Sequence, residues 1–361
     1  MSDVTVGAFG ALGPYAPSFR VRTKIPGREL ERLGVHMQHY PLLNEAQDEL
    51  LHRGPPARRL QAALQARREL RRRLSDVNGQ LDVALVQRQV DLLPTLALER
   101  LVARDRRLVL DVDDAIWLDA SPGARGHRLA ALKGTARKVR WLAERAETVI
   151  AGNDLLAEWL SRHSQNVVVV PSLVEHREIP LREHTASDRI VLGWIGSPST
   201  APSLNRLRKP LRELVAGHPD LEVELLVVGG EPLAVEGATV RGEPWSEQSE
   251  RDFLQQVDVG LMPLPDNAWT RGKCAYKALQ YMAAGIPVLA DDVGVSAQVI
   301  GHERGGLVAE SDSDWTQYLS ALAADPDLRR RLGLEGRKRV AEGFSVEAWA
   351  PTLARILRDP V

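Results

Sequence analysis

Short runs of apolar residues alternate along the chain with longer stretches in which apolar residues recur every three or four positions. The short runs are typical of strands buried on both faces of a parallel sheet, and the longer stretches are typical of amphipathic helices. The predicted strands are Val4–Ala8, Val83–Gln87, Leu108–Leu110, Thr148–Ile150 and Val167–Val170, with Val35–Tyr40 a weaker candidate, and then Ile190–Ile195, Val223–Val228, Val257–Met262 and Pro287–Ala290. The pattern predicts an α/β protein with two Rossmann-like, doubly wound domains.

Helices are predicted between these strands and at the end of the chain. They are Ala57–Leu74, Leu129–Arg145, Ser203–Ala216, Glu247–Gln256, Cys274–Ala284, Asp314–Ala324 and Ser345–Leu357. Because ligands of open α/β sheets bind beyond the carboxyl ends of the strands, we expect the two domains to face each other across a cleft that holds the site.

A polar stretch without strand signals separates the two halves and predicts the domain boundaries. The first domain covers residues 1–175, a linker covers 176–189, and the second domain covers 190–343. The final segment, 344–361, has one apolar helical face, so we expect it to pack back on the first domain.

Composition is typical of a globular protein, and we expect a cytoplasmic location. The 361 residues are 44% hydrophobic and 26% charged, and the formal net charge of -1 gives no reason to expect nucleic acid as a partner. One cysteine, Cys274, excludes an internal disulfide and fits a reducing compartment. The first residues, MSDVTVGAFG, do not resemble a secretory signal, and no apolar run approaches the ~20 residues of a membrane span.

The stretch from Trp269 to Val288 crowds cations around a predicted helix start. Arg271, Lys273 and Lys277 flank the first turn, where unpaired backbone N–H groups and the helix dipole favour an anion. Lys273, Lys277 and Gln280 are spaced at i, i+4 and i+7, which predicts that they share one helix face. This pattern indicates a phosphate or diphosphate site.

Two glycine-containing loops follow predicted strands. In the first, GAFGALG, prolines interrupt the helix start that a dinucleotide fingerprint requires, so Gly10 and Gly13 indicate a loop that lets backbone approach a ligand, or a plain turn. In the second, GWIGSPST, Ser199 and Thr200 can donate to a phosphate, although the loop lacks the ending of an NTPase P-loop. Trp245 lies near a strand end, where an indole can stack on a base or belong to the core.

Three carboxylates close a predicted strand in the phrase LVLDVDDAIW. Asp111, Asp113 and Asp114 could bind a divalent metal, or accept protons and bind sugar hydroxyls. We favour hydroxyl binding, because no other cluster of acids or histidines in the sequence offers itself as a partner for a metal site.

Basic residues in the first half have two interpretations. Arg20 and Arg22 in SFRVR, and Arg88 after a strand, could bind an acidic acceptor or a phosphate, although a structural salt bridge is the favoured interpretation for each alone. In the predicted helix Ala57–Leu74, arginines stand opposite a set of leucines; the set is Leu60, Leu64, Leu70 and Leu74. Such a helix can lie on an anionic membrane surface, but we favour a helix that packs through its leucines and is solvated on its basic side.

The second half resembles the nucleotide-binding domain of GT-B glycosyltransferases, in particular the retaining enzymes of family 4. The resemblance lies in GWIGSPST, in VDVGLMPLPD and above all in KALQYMAAGIPVLADDVG. The first half, with SFRVRTKIPGREL, VALVQR and LVLDVDDAIW, is similar to the acceptor domain of a subgroup of these enzymes. Family 4 enzymes typically carry two glutamates with seven residues between them; here Gly272 occupies the first position and Gln280 the second. Asp113 stands about where many members have a histidine.

The resemblance implies transfer of a sugar from a nucleoside diphosphate sugar to an unidentified small-molecule, saccharide or other acceptor, with retention and without a metal cofactor. The expected donor ligands are Gly10, Gly13, Ser199, Thr200, Glu243, Trp245, Gly272, Lys277 and Gln280. Asp113, Arg271 and Lys273 are the expected catalytic residues, and Arg20, Arg22, Arg88 and Asp114 the expected acceptor ligands. A non-catalytic nucleotide-sugar-binding protein and, less favoured, a sugar-nucleotide epimerase are the alternatives.

Overall fold

The computed structural model describes residues 3–77, 79–118 and 134–359. The chain divides into two compact units. Unit 1 comprises Met1–Leu173, Asn267–Cys274 and Val346–Val361, and unit 2 comprises Val174–Asp266 and Ala275–Ser345. The domain expected over residues 190–343 is therefore interrupted by an eight-residue segment that packs with unit 1, and the expected linker 176–189 is part of unit 2.

Unit 1 is built on a sheet of six parallel strands in the order β2-β1-β3-β4-β5-β6. The strands are β1 Val4–Gly10, β2 Val35–Pro41, β3 Val83–Gln87, β4 Arg107–Val112, β5 Thr148–Ala151 and β6 Val167–Val169. The helices are α1 Pro17–Phe19, which continues as the π-helical turn Arg20–Lys24, then α2 Gly27–Arg32, α3 Glu45–Arg53, α4 Pro56–Asp76, α5 Ala97–Val102, α6 Thr135–Ala143, α7 Asp154–Leu160, α10 Ala268–Arg271 and α15 Val346–Arg358.

Alternation along the central strands separates two hydrophobic layers of unit 1. Ala84 and Val86 of β3 face a layer formed with helices α4 to α7, whereas Val83 and Leu85 face a layer formed with α2 and α15. The C-terminal helix α15 thus buries its apolar face, including Leu353, against this second side of the sheet. Helices on both faces explain why these strands are continuously apolar.

Unit 2 repeats the design with a sheet of six parallel strands in the order β12-β11-β10-β7-β8-β9. The strands are β7 Arg189–Ile195, β8 Glu222–Val228, β9 Thr239–Glu243, β10 Val259–Met262, β11 Val288–Asp291 and β12 Gly306–Ala309. The helices are α8 Arg208–Gly217, α9 Glu247–Gln256, α11 Tyr276–Ala283, α12 Ser296–Ile300, α13 Asp312–Ala324 and α14 Pro326–Gly343. Two parallel sheets with helices on their faces confirm the predicted α/β class and its Rossmann-like units.

The two strands that the pattern failed to indicate both lie at sheet edges. The weak candidate Val35–Tyr40 is the edge strand β2, and the unpredicted strands β9 and β12 are the two edges of the unit 2 sheet. β9 is largely solvent-accessible and polar, so it lacks the apolar run that marks a central strand. The first residues of the predicted helix Leu129–Arg145 lie outside the described residues.

Among the described residues, no helix combines the length and the apolarity needed to cross a membrane.

Candidate functional site

The carboxyl end of β4 in unit 1 holds a buried ion pair. Arg22 Nε lies 3.0 Å from both carboxylate oxygens of Asp111, and each side chain is 3% exposed. Arg22 Nη1 also donates to the carbonyl oxygens of Val170, at 3.0 Å, and Pro171, at 2.7 Å. Arg22 therefore joins the turn after α1 to the ends of β4 and β6, and its contacts are those of a structural residue.

Asp113, two residues further on, is held as an anion. Its Oδ1 accepts hydrogen bonds from Gln87 Nε2 at 2.9 Å and from Arg88 Nε at 2.6 Å. Burial acts to raise the pKa of Asp113, but the guanidinium groups of Arg88 and Arg22 and the hydrogen bonds to the carboxylate together hold the pKa below its ordinary value. A carboxylate with a lowered pKa is a poor proton acceptor and a good hydrogen-bond acceptor.

Arg88 occupies a left-handed backbone conformation, with φ of 64°. Its amide donates to the carbonyl of Asp111 at 2.8 Å, and its Nη2 lies 3.3 Å from Asp114 Oδ2. Left-handed arginine costs of order 1–3 kcal/mol, a strain that clusters at functional sites. The turn aims a partly exposed guanidinium, bound on one edge by two carboxylates, over the end of the sheet.

The segment Asn267–Cys274 adds a second cation to this edge. Asn153 Nδ2 donates to the carbonyls of Gly272, at 3.2 Å, and Lys273, at 3.3 Å. A Cβ on Gly272 would lie 2.7 Å from the Cβ of Ala115, so glycine permits the close approach. Lys273 Nζ lies 3.7 Å from Asp114 Oδ2. The structure therefore brings Arg88, Asp113, Asp114 and Lys273 together.

Asp114 is left with an unused acceptor. Its Oδ2 faces Arg88 and Lys273, but its buried Oδ1 has no hydrogen-bond partner among the described residues. Within the same ranges, no group of three or more histidine, cysteine, aspartate or glutamate side chains is arranged to hold a metal ion.

Cys274 closes the segment with its thiol turned inward. Its Sγ donates to the carbonyl of Asp113 at 3.1 Å, and a Cβ on Gly152 would lie 2.4 Å from Sγ. Burial, with the nearby Asp113 carboxylate, raises the pKa of the thiol to about 12. Cys274 is a packing residue of this edge.

Modification by 5,5′-dithiobis(2-nitrobenzoate) provides a test, because Cys274 is the only cysteine of the chain. At pH 8 a thiol with a pKa near 12 is a thiolate in about one molecule in 10⁴, against roughly a quarter for a free cysteine. We expect the native protein to react on the order of 10³-fold more slowly than the guanidinium-unfolded protein. Rapid stoichiometric reaction in the native state would contradict this placement.

In unit 2, the helix α11 begins later than the sequence indicates. Its first residue is Tyr276, and Ala275 before it has a φ of 50°. This left-handed residue breaks the helical spacing, so the prediction that Lys273 shares a helix face with Lys277 and Gln280 is wrong. Lys277 lies in the first turn of α11, no side chain caps that turn, and Gln280 is buried one turn later.

Lys277 is held at the carboxyl end of β7. Its Nζ lies 4.0 Å from the centroid of the buried Trp194 ring, a cation–π contact. A Cβ on Gly196 would lie 2.5 Å from this Nζ. Because Gly196 has no side chain, the ammonium group of Lys277 can lie beside the uncapped first turn of α11.

The loops after β7, β8 and β9 meet at a second glycine. Gly229 has a φ of 80°, and a Cβ there would lie 2.2 Å from the carbonyl oxygen of Gly196 and 3.1 Å from Cβ of Trp245. Its amide donates to the carbonyl of Glu243 at 2.8 Å. The indole Nε1 of Trp245 donates to Glu250 at 3.0 Å. Glu243 and Trp245 are thus fixed at the same edge of the sheet as Gly196.

Hydroxyl groups line the loop that follows Gly196. Ser197 Oγ lies 2.8 Å from Ser199 Oγ and 3.4 Å from Thr200 Oγ1, and the cluster is exposed. Thr200 Oγ1 also donates to the carbonyl of Ser197 at 3.0 Å. The predicted pair Ser199 and Thr200 therefore stands on one turn with a third hydroxyl.

Several predicted residues have packing explanations. A Cβ on Gly10 would lie 2.5 Å from the Phe19 ring, and one on Gly13 would lie 3.0 Å from Asp48 Cβ, so both glycines permit close packing in unit 1. Arg20 is half-buried on the turn after α1, and Arg271 is exposed at the end of α10. Their roles in binding stay predictions.

The residues that hold the predicted site side chains in place are only partly indicated by the sequence. Gln87 and Asn153 each contact a predicted site residue, and so does Trp194, whose place near a strand end the sequence does indicate. Trp194 and Gly196 stand inside GWIGSPST, so their position after a strand was a signal. Nothing in the sequence links Asn153 to a segment 119 residues away.

Residues 189–325 match the family model described as glycosyl transferases group 1. Over 187 residues the chain is 28% identical to the D-inositol 3-phosphate glycosyltransferase of Nocardia farcinica. This match covers 47% of this chain and 40% of that protein. The match thus spans less than half of that relative's length.

Solved structures with a similar fold cover nearly the whole chain. The sucrose-phosphate synthase of Thermosynechococcus elongatus has a TM-score of 0.70 at 13% identity, covering 99% of this chain and 98% of that one. Anabaena HepE in complex with UDP and glucose has a TM-score of 0.65 at 12% identity, covering 98% and 99%. At these identities the likeness concerns the fold.

Proposed function

We propose that this chain, of which residues 189–325 match the family model described as glycosyl transferases group 1, transfers a sugar from a nucleoside diphosphate sugar to an acceptor with retention of configuration. Three findings support the proposal. They are the family match, the fold shared with Anabaena HepE, whose structure contains UDP and glucose, and the arrangement of the two sheet edges described above.

The observation that carries the proposal is the environment of Lys277. An ammonium group stands beside an uncapped helix start, in space left by Gly196 and over the face of Trp194. A helix N-terminus with an adjacent cation is an anion site, and the diphosphate of a nucleotide sugar is the anion that this family background suggests. The other proposed donor ligands are Ser199, Thr200, Glu243, Trp245, Gly272 and Gln280.

The proposed chemistry depends on the leaving group. Breaking the anomeric bond develops positive charge on the sugar and negative charge on the departing diphosphate. Fixed cations stabilise that charge, and in unit 2 we assign this role to Lys277. Arg271 and Lys273 belong to unit 1, and their catalytic role stays a prediction. We propose no metal cofactor, because Asp111, Asp113 and Asp114 are each bound to a cationic side chain.

Unit 1 supplies the proposed acceptor site. The buried Oδ1 of Asp114 lacks a partner and can accept a hydrogen bond from an acceptor hydroxyl. Arg88 Nη2 and Lys273 Nζ, beside its other oxygen, suit an acceptor that carries an anionic group. Asp113 holds Arg88 in position. Arg22 orders the ends of β4 and β6 beside this site, and acceptor binding by Arg20 stays a prediction.

Turnover of a donor panel tests the proposed function. We expect the protein to release nucleoside diphosphate from one of UDP-glucose, GDP-mannose or ADP-glucose, by slow hydrolysis without an acceptor and faster with a saccharide or polyol-phosphate acceptor. The anomeric configuration of the product is read by NMR. Binding of a nucleotide without any turnover would favour the non-catalytic alternative, and an inverted product would contradict retention.

A further inference from the structure

The outward face of helix α4 exposes two large apolar side chains. Leu60 is 53% exposed and Leu64 is 42% exposed, and the pair lies one turn apart on the side away from the sheet. The opposite side of α4 packs into the core through Ala66, Leu70 and Leu74. The expectation that all four leucines would pack inward is therefore wrong for Leu60 and Leu64.

Arginines surround these two leucines. Arg58, Arg68, Arg71 and Arg72 are exposed, and none of them forms an ion pair with a described residue. The helix also carries two acids, the half-buried Glu69, which accepts hydrogen bonds from Gln47 and Gln65, and the exposed Asp76. The four arginines outnumber them, so the charge of this side stays positive. We call the set Arg58, Leu60, Leu64, Arg68, Arg71 and Arg72 the basic face of α4.

The basic face begins near the carboxyl edge of the unit 1 sheet. Helix α4 connects the parallel strands β2 and β3, so it runs antiparallel to them and its first residues lie toward the edge where those strands end. Arg67 confirms the direction, because its guanidinium binds Asp91 and Thr95 in the loop after β3. Leu60 and Leu64 precede Arg67, so they lie on the side of unit 1 that holds Arg88 and Asp113.

We propose that the basic face of α4 binds the surface of a bilayer that contains anionic phospholipids. The helix would lie in the interface plane, with Leu60 and Leu64 inserted among the headgroups and the four arginines beside lipid phosphates. The exposed leucines favour a lipid surface over nucleic acid, since phosphate contacts along a nucleic acid need cations but no inserted aliphatic side chains. Bound in this way, unit 1 would present its carboxyl edge to the membrane.

Co-sedimentation with vesicles tests the proposal. Full-length protein is mixed, at about 0.1 M salt, with phosphatidylcholine vesicles that contain about 30% phosphatidylglycerol. A second sample contains vesicles of pure phosphatidylcholine. We expect binding to the anionic vesicles only, weakening as salt rises above about 0.1 M because the attraction is screened. Equal partitioning to both vesicles, or to neither, would overturn the proposal.

Two sets of substitutions distinguish the contribution of the arginines to vesicle binding from that of the leucines. Because each arginine near an anionic surface contributes about a factor of 5 to binding, Arg68→Gln/Arg71→Gln/Arg72→Gln is expected to lower the partition coefficient about 100-fold. Leu60→Ser/Leu64→Ser is expected to lower it about tenfold, since the inserted apolar area is lost. All these side chains are exposed, so the thermal midpoint should not change.

Matched controls exist on other helices. Arg162→Gln/Arg251→Gln/Arg330→Gln removes the same charge from exposed positions, and Leu334→Ser changes a leucine that is 50% exposed on α14. We expect both controls to bind vesicles like the wild type. If the controls weaken binding as much as the α4 variants, net charge and not this face is responsible. If transfer RNA competes away vesicle binding and the leucine variant behaves as wild type, the face binds polyanions generally, and the membrane proposal is wrong.

Discussion

Replacing Lys277 by alanine is expected to lower kcat for sugar transfer by about 10²–10³-fold, the typical cost of removing one contact that stabilises the charge of a transition state. The ammonium group is held over Trp194 beside the uncapped start of α11, so its loss removes a fixed cation without opening the core. The measurement is nucleoside diphosphate release under saturating donor.

A second variant and a control make this prediction specific. Gly196→Ala would place a methyl group 2.5 Å from Lys277 Nζ and 2.5 Å from the Trp194 ring, so displacing the ammonium group from its place over that ring should reproduce much of the loss. Lys209→Ala removes an exposed lysine of α8 and should leave turnover unchanged. If Lys277→Ala retains turnover within about threefold of wild type, the diphosphate role of Lys277 is refuted.

Replacing Arg22 by methionine is expected to destabilise unit 1 by about 3–5 kcal/mol, because the buried Asp111 carboxylate would lose its counter-charge. For a unit of this size the calorimetric melting temperature should fall by about 10 °C. The double variant Arg22→Met/Asp111→Asn removes the orphaned charge and should recover part of the loss. Reduced acceptor affinity with unchanged melting would instead support Arg22 as an acceptor ligand.

The destabilisation should depend on pH. Burial raises the pKa of Asp111 to about 6 even with Arg22 beside it, and without Arg22 the pKa should rise further. A carboxyl whose folded-state pKa exceeds its unfolded value stabilises the folded state at low pH, and this contribution is lost as the pH rises through the folded pKa. We therefore expect the difference between variant and wild type to be larger at pH 8 than at pH 5. A constant difference would show that Asp111 does not titrate in this range.

The central strands were predictable because burial on both faces demands consecutive apolar residues, as in Val83–Gln87 and Val223–Val228. Edge strands such as β9 are partly solvated, so their composition does not distinguish them from loops. The boundary of α11 was missed for another reason. Ala275 adopts a left-handed conformation that alanine does not signal, and the surrounding structure imposes it.

The α/β class, the two Rossmann-like units and the glycosyltransferase resemblance of the second half follow from local periodicity and short motifs, so they can be read from the sequence. Which charged residues meet depends on the folded chain. For Arg22 the sequence allowed an acceptor ligand or, as the favoured interpretation, a structural salt bridge, and the structure pairs it with a carboxylate 89 residues away. Leu60 and Leu64 fit a packed helical stripe, yet the sheet covers a different side of α4. Pairing and burial depend on distant parts of the chain, and no local pattern records them.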